Sequence, residues 1–522
     1  MRVGIIAAYM DYHRRGAHHR GVLQPQIGPL IAALLPRDVD VDVINDTWED
    51  PDWRKDYDLL FISSLHPDFD RARQISHYWR RRGSKTVYGG ILASTYPNLC
   101  GPFFDALVVG DPEGAVPRLY DDFRRNELKP MYVSLPYDPT RIPPPRLELL
   151  ARKQPVPISI EITRGCPFSC EFCALTGIGT RYHIRSAESA VRDIREAQRV
   201  LRGNVPSYKL YMAVFNDNNI GGNPGFLREL CAALASFNKK VFWGSALTFN
   251  VVMDLQTVRA LSRAGCRFVF MGLESFNREA IADMRKFQNT IEMTKSVINQ
   301  CRRYGILVES GLMINPMVDD CKYMRTIPES LEECGLHIPT FICFESPIPG
   351  TPHFHRLASL DVPTFLPNAL LRDFTGYTLV TRPKREGLSE FVQTYKWLLQ
   401  TVYSKWAKIL KLADDLPRFL LHGYAWTALL DLIVQAPTRF RVDPTRTYLA
   451  GTDKAPPEAS NIPFREADFR SEEERRLILD PWKVTDSAGR VLPQWRHSVK
   501  VFDARGKVSP SAKKLVASEN SE

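Results

Sequence analysis

The chain has 522 residues, 44% hydrophobic and 25% charged, with a formal net charge of +10. This length exceeds one hydrophobic core and predicts two or three domains, and the balance excludes a disordered chain and a small disulfide-stapled fold. The cations cluster where helices should stop (Arg80, Arg81 and Arg82 before Gly83; Arg124 and Arg125 before Asn126; Arg302 and Arg303 before Gly305). There they complement helix dipoles, so no nucleic-acid partner is expected.

The opening stretch, MRVGIIAAYMDYHRRG, lacks the pattern of an export signal and reads as a strand followed by a loop. From residue 2 to about 120, the runs RVGII, VDVDVIND, DLLFISSL, KTVYGG and ALVVGD alternate with helical patterns, predicting a doubly wound parallel α/β sheet over residues 1–134. Ligands on such sheets bind at the carboxyl ends of the strands. LPYDPTRIPPPRLELL is too rich in proline for a helix or central strand and marks a linker over residues 135–152. Strand-like segments resume as ISIEIT, YKLYMAVF, VFWGSALT, RFVFMGL, ILVESGLMI and TFICFE. Six β/α units over residues 153–355 fit a partial TIM-type barrel, whose active face is again at the strand C-termini. Beyond it a mainly helical domain is expected over residues 356–508, with a flexible polar tail at 509–522. Its most apolar stretch, Phe419 to Val434, contains His422 and Asp431, is too short and polar to span a bilayer, and reads as a buried helix.

Ten cysteines without regular spacing or an export signal argue for a reducing compartment, so the expected location is cytoplasmic. Cys100, Cys231, Cys266, Cys301, Cys321, Cys334 and Cys343 stand singly and read as small core hydrophobes. Cys166, Cys170 and Cys173 are different. They lie in ISIEITRGCPFSCEFCALTG, in the loop after the first barrel strand. Three thiolates at this spacing can hold three irons of a [4Fe–4S] cubane and leave the fourth open to another ligand. A zinc site is the competing reading, but zinc usually takes separated pairs with a fourth Cys or His, and no second pair follows here.

The trio, with Phe172 as the aromatic of a CxxxCxΦC motif, resembles the radical S-adenosylmethionine (SAM) superfamily. The resemblance continues through FNDNN (Phe215 to Asn219), FMGLES (Phe270 to Ser275), SGLMINPMVDD and SPIPGTP, and is closest to the branch of anaerobic Mg-protoporphyrin cyclase and radical SAM C-methyltransferases. It implies that the open iron binds SAM and that Asp217, Glu274 and Ser275 face the SAM amino and ribose groups, with Asp217 and Glu274 as catalytic candidates. Asp and Ser at strand ends are equally at home as helix N-caps.

Asp11, His13 and Gly16 after the first strand, Ser63 and Leu65 after the third, and Gly89 with Gly90 after the fourth resemble the DxHxxG…SxL…GG pattern of cobalamin-binding domains. An imidazole there could ligate cobalt with the acid two positions earlier polarising its other nitrogen. Small residues at Ser63, Gly89 and Gly90 would let the nucleotide tail thread past the sheet. The loop DYHRRGAHHRG is also rich enough in His and Arg to be simply solvated or to contact phosphate, and many members of the branch lack an axial His.

Together these resemblances imply a cobalamin-dependent enzyme that moves a methyl group from SAM, via methylcobalamin, to an unactivated carbon of a small biosynthetic molecule. A reducing partner such as flavodoxin or ferredoxin is implied with it. The alternatives are cyclisation or rearrangement, polar methyl transfer, and a radical SAM enzyme acting on RNA. Substrate contacts are sought among Tyr377, Trp397, Tyr403, Trp406 and Tyr424, aromatic residues that are as readily core.

Overall fold

The structure, a computed structural model, describes residues 1–9, 25–150, 156–179, 182–237, 241–286, 291–360, 364–366 and 371–435. Two six-stranded parallel sheets organise it. The first is built from β1 (Arg2–Ala7), β2 (Asp40–Asn45), β3 (Leu59–Ser63), β4 (Lys85–Gly89), β5 (Ala106–Val109) and β6 (Met131–Val133), in the order β2-β1-β3-β4-β5-β6. Its strands are β-branched and buried on both faces, as a sheet covered by helices requires. Leu59, Phe61 and Val87 enter one core with Val3 and Ile5, while Leu60, Ile62 and Tyr88 enter the other with Ile6. The strand order reverses between β1 and β3, which opens a crevice at their carboxyl ends. Parallel register aligns Ala7 with Ser63, Ser63 with Gly89, and Gly89 with Val108, so these strand ends share one level.

The second sheet holds β7 (Ile158–Ile160), β10 (Met212–Phe215), β11 (Phe242–Ala246), β12 (Cys266–Glu274), β13 (Leu307–Ile314) and β14 (Phe341–Phe344). Its order, β14-β13-β12-β11-β10-β7, follows the chain without closing, which makes it the partial barrel expected from six β/α units. A two-residue ribbon, β8 (Thr163–Arg164) with β9 (His183–Ile184), brackets the segment carrying the three spaced cysteines. Side-chain caps start the intervening helices: Ser186 for Ala187–Leu201, Asn223 for Pro224–Ala235 and Asp254 for Leu255–Arg263.

The three arginine-rich helices end where the sequence indicates, with Gly83, Asn126 and Gly305 in the left-handed region at φ 91°, 60° and 69°, but Arg82, Arg125 and Arg302 each pair with a carboxylate rather than serving the helix dipole alone. Among the described residues of 135–152, the chain forms only 3-10 turns, at Pro139–Arg141 and Leu147–Leu149. After the barrel, Phe354, Leu371, Phe374 and Val380 pack into a core of the first sheet. Helix Leu388–Val402 packs on the barrel through Phe391, Tyr395 and Leu398.

Two helices, Lys405–Leu421 and Ala425–Gln435, then form a hairpin. Here the expectation of a buried helix over Phe419 to Val434 is corrected. Phe419 and Ala428 are buried, but Leu420, Leu421, Trp426, Leu429 and Leu432 are exposed. The buried side is taken up instead by a charge network: Lys411 Nζ donates to Asp415 (2.7 Å) and Asp431 (2.8 Å), and Arg302 pairs with Asp415 at 2.6 Å. Among the described residues no helix is long and apolar enough to cross a membrane.

Candidate functional site

The cysteine loop follows β8 and turns at Gly165, whose φ of 83° suits only glycine without strain. Cys173 N–H donates to Cys170 O at 3.1 Å, and Cys173 then precedes the short helix Ala174–Gly177. Glu171 fixes the loop from outside through ion pairs to Arg285 (2.9 Å) and Arg356 (3.0 Å). None of the ten cysteines forms a disulfide, and of the seven solitary ones six are buried and Cys343 is half-buried.

Three thiols spaced along one loop can hold three corners of a cubane and leave the fourth iron open. Among the described residues, two other groups of donor atoms lie mutually within 4.8 Å, Asp283–Glu345–His353 and Cys321–Glu386–Glu390. Burial raises the Cys166 thiol pKa, opposed by hydrogen bonds from the Phe168 backbone and Asn219. Burial pushes Cys173 up to about 12. The Asn219 amide donates to Cys166 Sγ at 3.6 Å.

Phe172 is half-buried against Ala280, Met284 and Met313, with Lys286 Nζ 5.9 Å from its ring centroid. The same ammonium pairs with Glu274 and donates to Gly272 O at 3.0 Å. A register shift between Gly272 and Glu274, with Glu274 at φ 69°, turns this carboxylate toward Lys286. Asp217 is buried, accepts from Ile162 N–H at 3.2 Å and from Thr163 N–H, and its pKa is pushed up to about 7 by burial. Its carboxylate holds the chain at the root of the cysteine loop. Ser275 is fully buried, with its hydroxyl 2.8 Å from Tyr323 OH and accepting from Asn277 N–H at 3.0 Å. The N-cap of the next helix is Asn277, not Ser275.

Facing this loop is a cavity of about 1420 Å³ between the two sheets, larger than most small-molecule sites. Ser63, Leu65, Gly89 and Gly90 line it from the first sheet, and Glu161, Arg164, Gly179, Phe215, Asp217 and Phe270 from the barrel. The structure thus brings four of the expected cobalamin contacts together with Asp217, while Cys166, Cys170, Cys173, Phe172, Glu274 and Ser275 are not on its wall. Gly90 has φ 117°, and a Cβ there would meet Ser64 O at 3.1 Å and Ser63 Oγ at 3.2 Å. The cavity continues down an apolar slot between the sheet and helix Ile27–Leu34, walled by Leu30, Ile31, Phe61, Val87 and Val108. A cavity of this volume, with a glycine edge and an apolar inner end, suits a planar macrocycle with a nucleotide tail. Asp11, His13 and Gly16 lie outside the described residues; the last described residue before them is Tyr9, whose N–H donates to Asp46 at 3.1 Å. None of the five aromatic candidates after the barrel lines the cavity.

Sequence reasoning passed over the charge cluster on the cavity wall. Arg164 is held by Glu113 at 2.9 Å through both of its oxygens, by Glu161 at 2.6 Å and by Asp111 at 3.0 Å. Tyr137 from the linker donates to Asp111 at 2.8 Å. Glu161, the one charged residue of the run ISIEIT, was the available signal. Lys286, Asn219 and the buried Glu345–His353 pair (3.0 Å) were also unread.

Residues 160–327 match a model of the Radical SAM superfamily. Bacteriochlorophyllide d C-8(2)-methyltransferase of Chlorobaculum tepidum is 26% identical over 401 residues, spanning 72% of this chain and 87% of its own. Hopanoid C-2 methylase of Rhodopseudomonas palustris is 25% identical over 351 residues, 64% of each chain. Anaerobic magnesium-protoporphyrin IX monomethyl ester cyclase of Rubrivivax gelatinosus is 24% identical over 352 residues, 59% of this chain and 62% of its own. The structure is similar to the cobalamin-dependent S-adenosylmethionine radical enzyme OxsB with aqua-cobalamin bound, with a TM-score of 0.60 and 13% identity over 83% of this chain and 72% of that one. It is also similar to the radical S-adenosylmethionine methyltransferase TsrM from Kitasatospora setae, with a TM-score of 0.56 and 16% identity over 76% and 85%. These likenesses establish the shared fold.

Proposed function

From a chain that carries a radical SAM domain at residues 160–327, we propose a C-methyltransferase that uses a [4Fe–4S] cluster, SAM and cobalamin to methylate an unactivated carbon of a small biosynthetic molecule. The observation that carries this reading is the single cavity walled by Ser63, Gly89 and Gly90 on one side and by the root of the cysteine loop on the other. When bound, the cluster with SAM supplies a hydrogen-abstracting radical on reduction, and cobalamin supplies the methyl carrier.

Cys166, Cys170 and Cys173 would hold the cluster. Asn219 donates to the first of these sulfurs and Glu171 anchors the loop, so its position is set by the protein before any ligand arrives. Asp217 clamps the backbone at Ile162 and Thr163, four and three residues before Cys166. Gly90 and the slot beside Leu30 would admit the macrocycle and its tail. Val214, Phe215, Ala246 and Phe270 give the barrel side of the cavity an apolar patch beside the polar groups of Glu161, Arg164 and Asp217. Ferredoxin or flavodoxin is the proposed electron donor, in keeping with a cytoplasmic setting.

The test is anaerobic reconstitution with iron, sulfide and hydroxocobalamin, followed by desalting. Retained corrin bands with an iron–sulfur shoulder, and 5′-deoxyadenosine formed from SAM under reduction, are expected. Corrin lost on desalting would overturn the cobalamin part, and intact SAM the radical part. The cyclase relative favours cyclisation as a second reading. With substrate present, S-adenosylhomocysteine together with 5′-deoxyadenosine marks methyl transfer, and 5′-deoxyadenosine alone marks cyclisation.

A further inference from the structure

Asp283, Glu345 and His353 meet beside the cysteine loop, with ligand atoms mutually within 4.8 Å. They come from three elements: the end of helix Arg278–Asp283, the residue after β14, and the first turn of helix Pro352–Ala358. His353 N–H donates to Glu171 O at 3.2 Å, which ties the group to the loop between Cys170 and Cys173. None of the three lines the large cavity.

The charges around them do not balance. Arg285 and Arg356 both pair with Glu171, and Arg356 also pairs with Asp283 at 3.1 Å. Among the described residues neither guanidinium makes an ion pair with Glu345. That carboxylate is 2% exposed, and its Oε2 accepts no hydrogen bond. Its neighbour is His353 Nδ1, 3.0 Å from Oε1, but Arg356 Nη2 lies 3.3 Å from the same nitrogen. An Nδ1 that accepts from the guanidinium has no proton to give Glu345. Burial raises the Glu345 pKa, and a charge buried without a partner is costly. A cation at this point would remove that cost.

Asp283 is arranged to share in holding one. Its hydrogen bonds from Asn315 and Arg356 both fall on Oδ2, which leaves Oδ1 for a ligand. Two carboxylates and an imidazole suit a divalent first-row ion. Bonds of about 2.0–2.2 Å hold ligands up to about 4.4 Å apart, so small side-chain rotations close the set. The other such group, Cys321–Glu386–Glu390, includes the exposed Glu390 and has no buried oxygen without a partner.

We propose that Asp283, Glu345 and His353 hold a divalent first-row cation that braces helix Pro352–Ala358 against the cysteine loop. None of the three is assigned to the cluster, SAM or cobalamin, so the site stands or falls apart from the proposed chemistry.

The test is treatment of the full chain with EDTA, desalting, and titration with MnCl2 alone, read by the six-line electron paramagnetic resonance signal of free Mn2+. Thiolates bind this hard ion weakly, so the result does not depend on the cluster. One equivalent bound per chain is expected. Glu345→Gln should weaken binding at least about tenfold, and so should Asp283→Asn, whose half-exposed position leaves the circular dichroism unchanged. Glu390→Gln should have no effect. A signal at full height up to about 1 mM Mn2+, where weak hard-cation sites lie, would leave Glu345 with His353 as its sole partner and overturn the proposal. So would binding that Glu345→Gln and Asp283→Asn both leave unchanged, or that Glu390→Gln abolishes.

Discussion

Asp217→Asn isolates the cost of a buried carboxylate at the root of the cysteine loop. Burial places the native group at about 7, against 3.8 for an unperturbed Asp. A carboxyl whose folded pKa is raised contributes stability that is fully present below the unfolded value and is lost as pH rises through the folded one. The window is therefore about pH 4 to 7. At about 1.36 kcal/mol per unit the full difference is about 4.4 kcal/mol, of which about 2.6 kcal/mol falls between pH 5 and pH 8, an upper bound that backbone relaxation reduces, so about 1 to 2.6 kcal/mol is expected between these two pH values. Asn keeps the oxygen that accepts from Ile162 and Thr163, since the other oxygen has only a 3.4 Å contact with Ile162 N–H. The assay is urea unfolding of the cluster-free protein and its variant at pH 5 and pH 8, followed by circular dichroism. Glu309 and Asp319, also pushed up to about 7, are common to both proteins and cancel in the difference. The variant should gain on the native chain between the two pH values. A stability difference equal at pH 5 and pH 8 would show that the Asp217 carboxylate is not paying for its burial.

Cys170→Ala should abolish the iron–sulfur shoulder after reconstitution while leaving the circular dichroism spectrum intact, and a full shoulder would remove this thiol from the cluster. Gly90→Val should lower corrin retention at least about tenfold on desalting, since a side chain there meets Ser64 O and sits at φ 117°, a strain of roughly 1–3 kcal/mol. Lys411→Met leaves Asp415 and Asp431 facing each other with Arg302 alone, and should cost about 3–5 kcal/mol in urea unfolding. A shift below about 1 kcal/mol would mean that water already reaches this network.

What sequence made legible was whatever rests on local pattern. Buried parallel strands announce themselves as short β-branched runs, and their C-terminal ends fix where Ser63, Gly89, Gly90 and Cys166 stand. Ser275 shows the limit. A motif placed it at a strand end facing ligand, but the register shift at Gly272 and the reach of Tyr323, 48 residues on, turn it into the interior. The hairpin misled in another way: apolar content was equated with burial, and only the pairing of Lys411 with Asp415 and Asp431 reveals which side faces in. Arg164 was only half legible: Glu161 lies three residues away in the chain, but Asp111 and Glu113 approach from the first sheet.

That arginine bears on how freely the two sheets could be exchanged among related enzymes. Its guanidinium is nearly enclosed, and two of its three carboxylate partners belong to the turn after β5. A transplanted N-terminal half without acids at those two positions would strand a cation within two residues of Cys166. Recombination between homologues at the proline-rich linker therefore has to carry Asp111, Glu113 and Arg164 as one inherited unit, even though the crossover point lies between them.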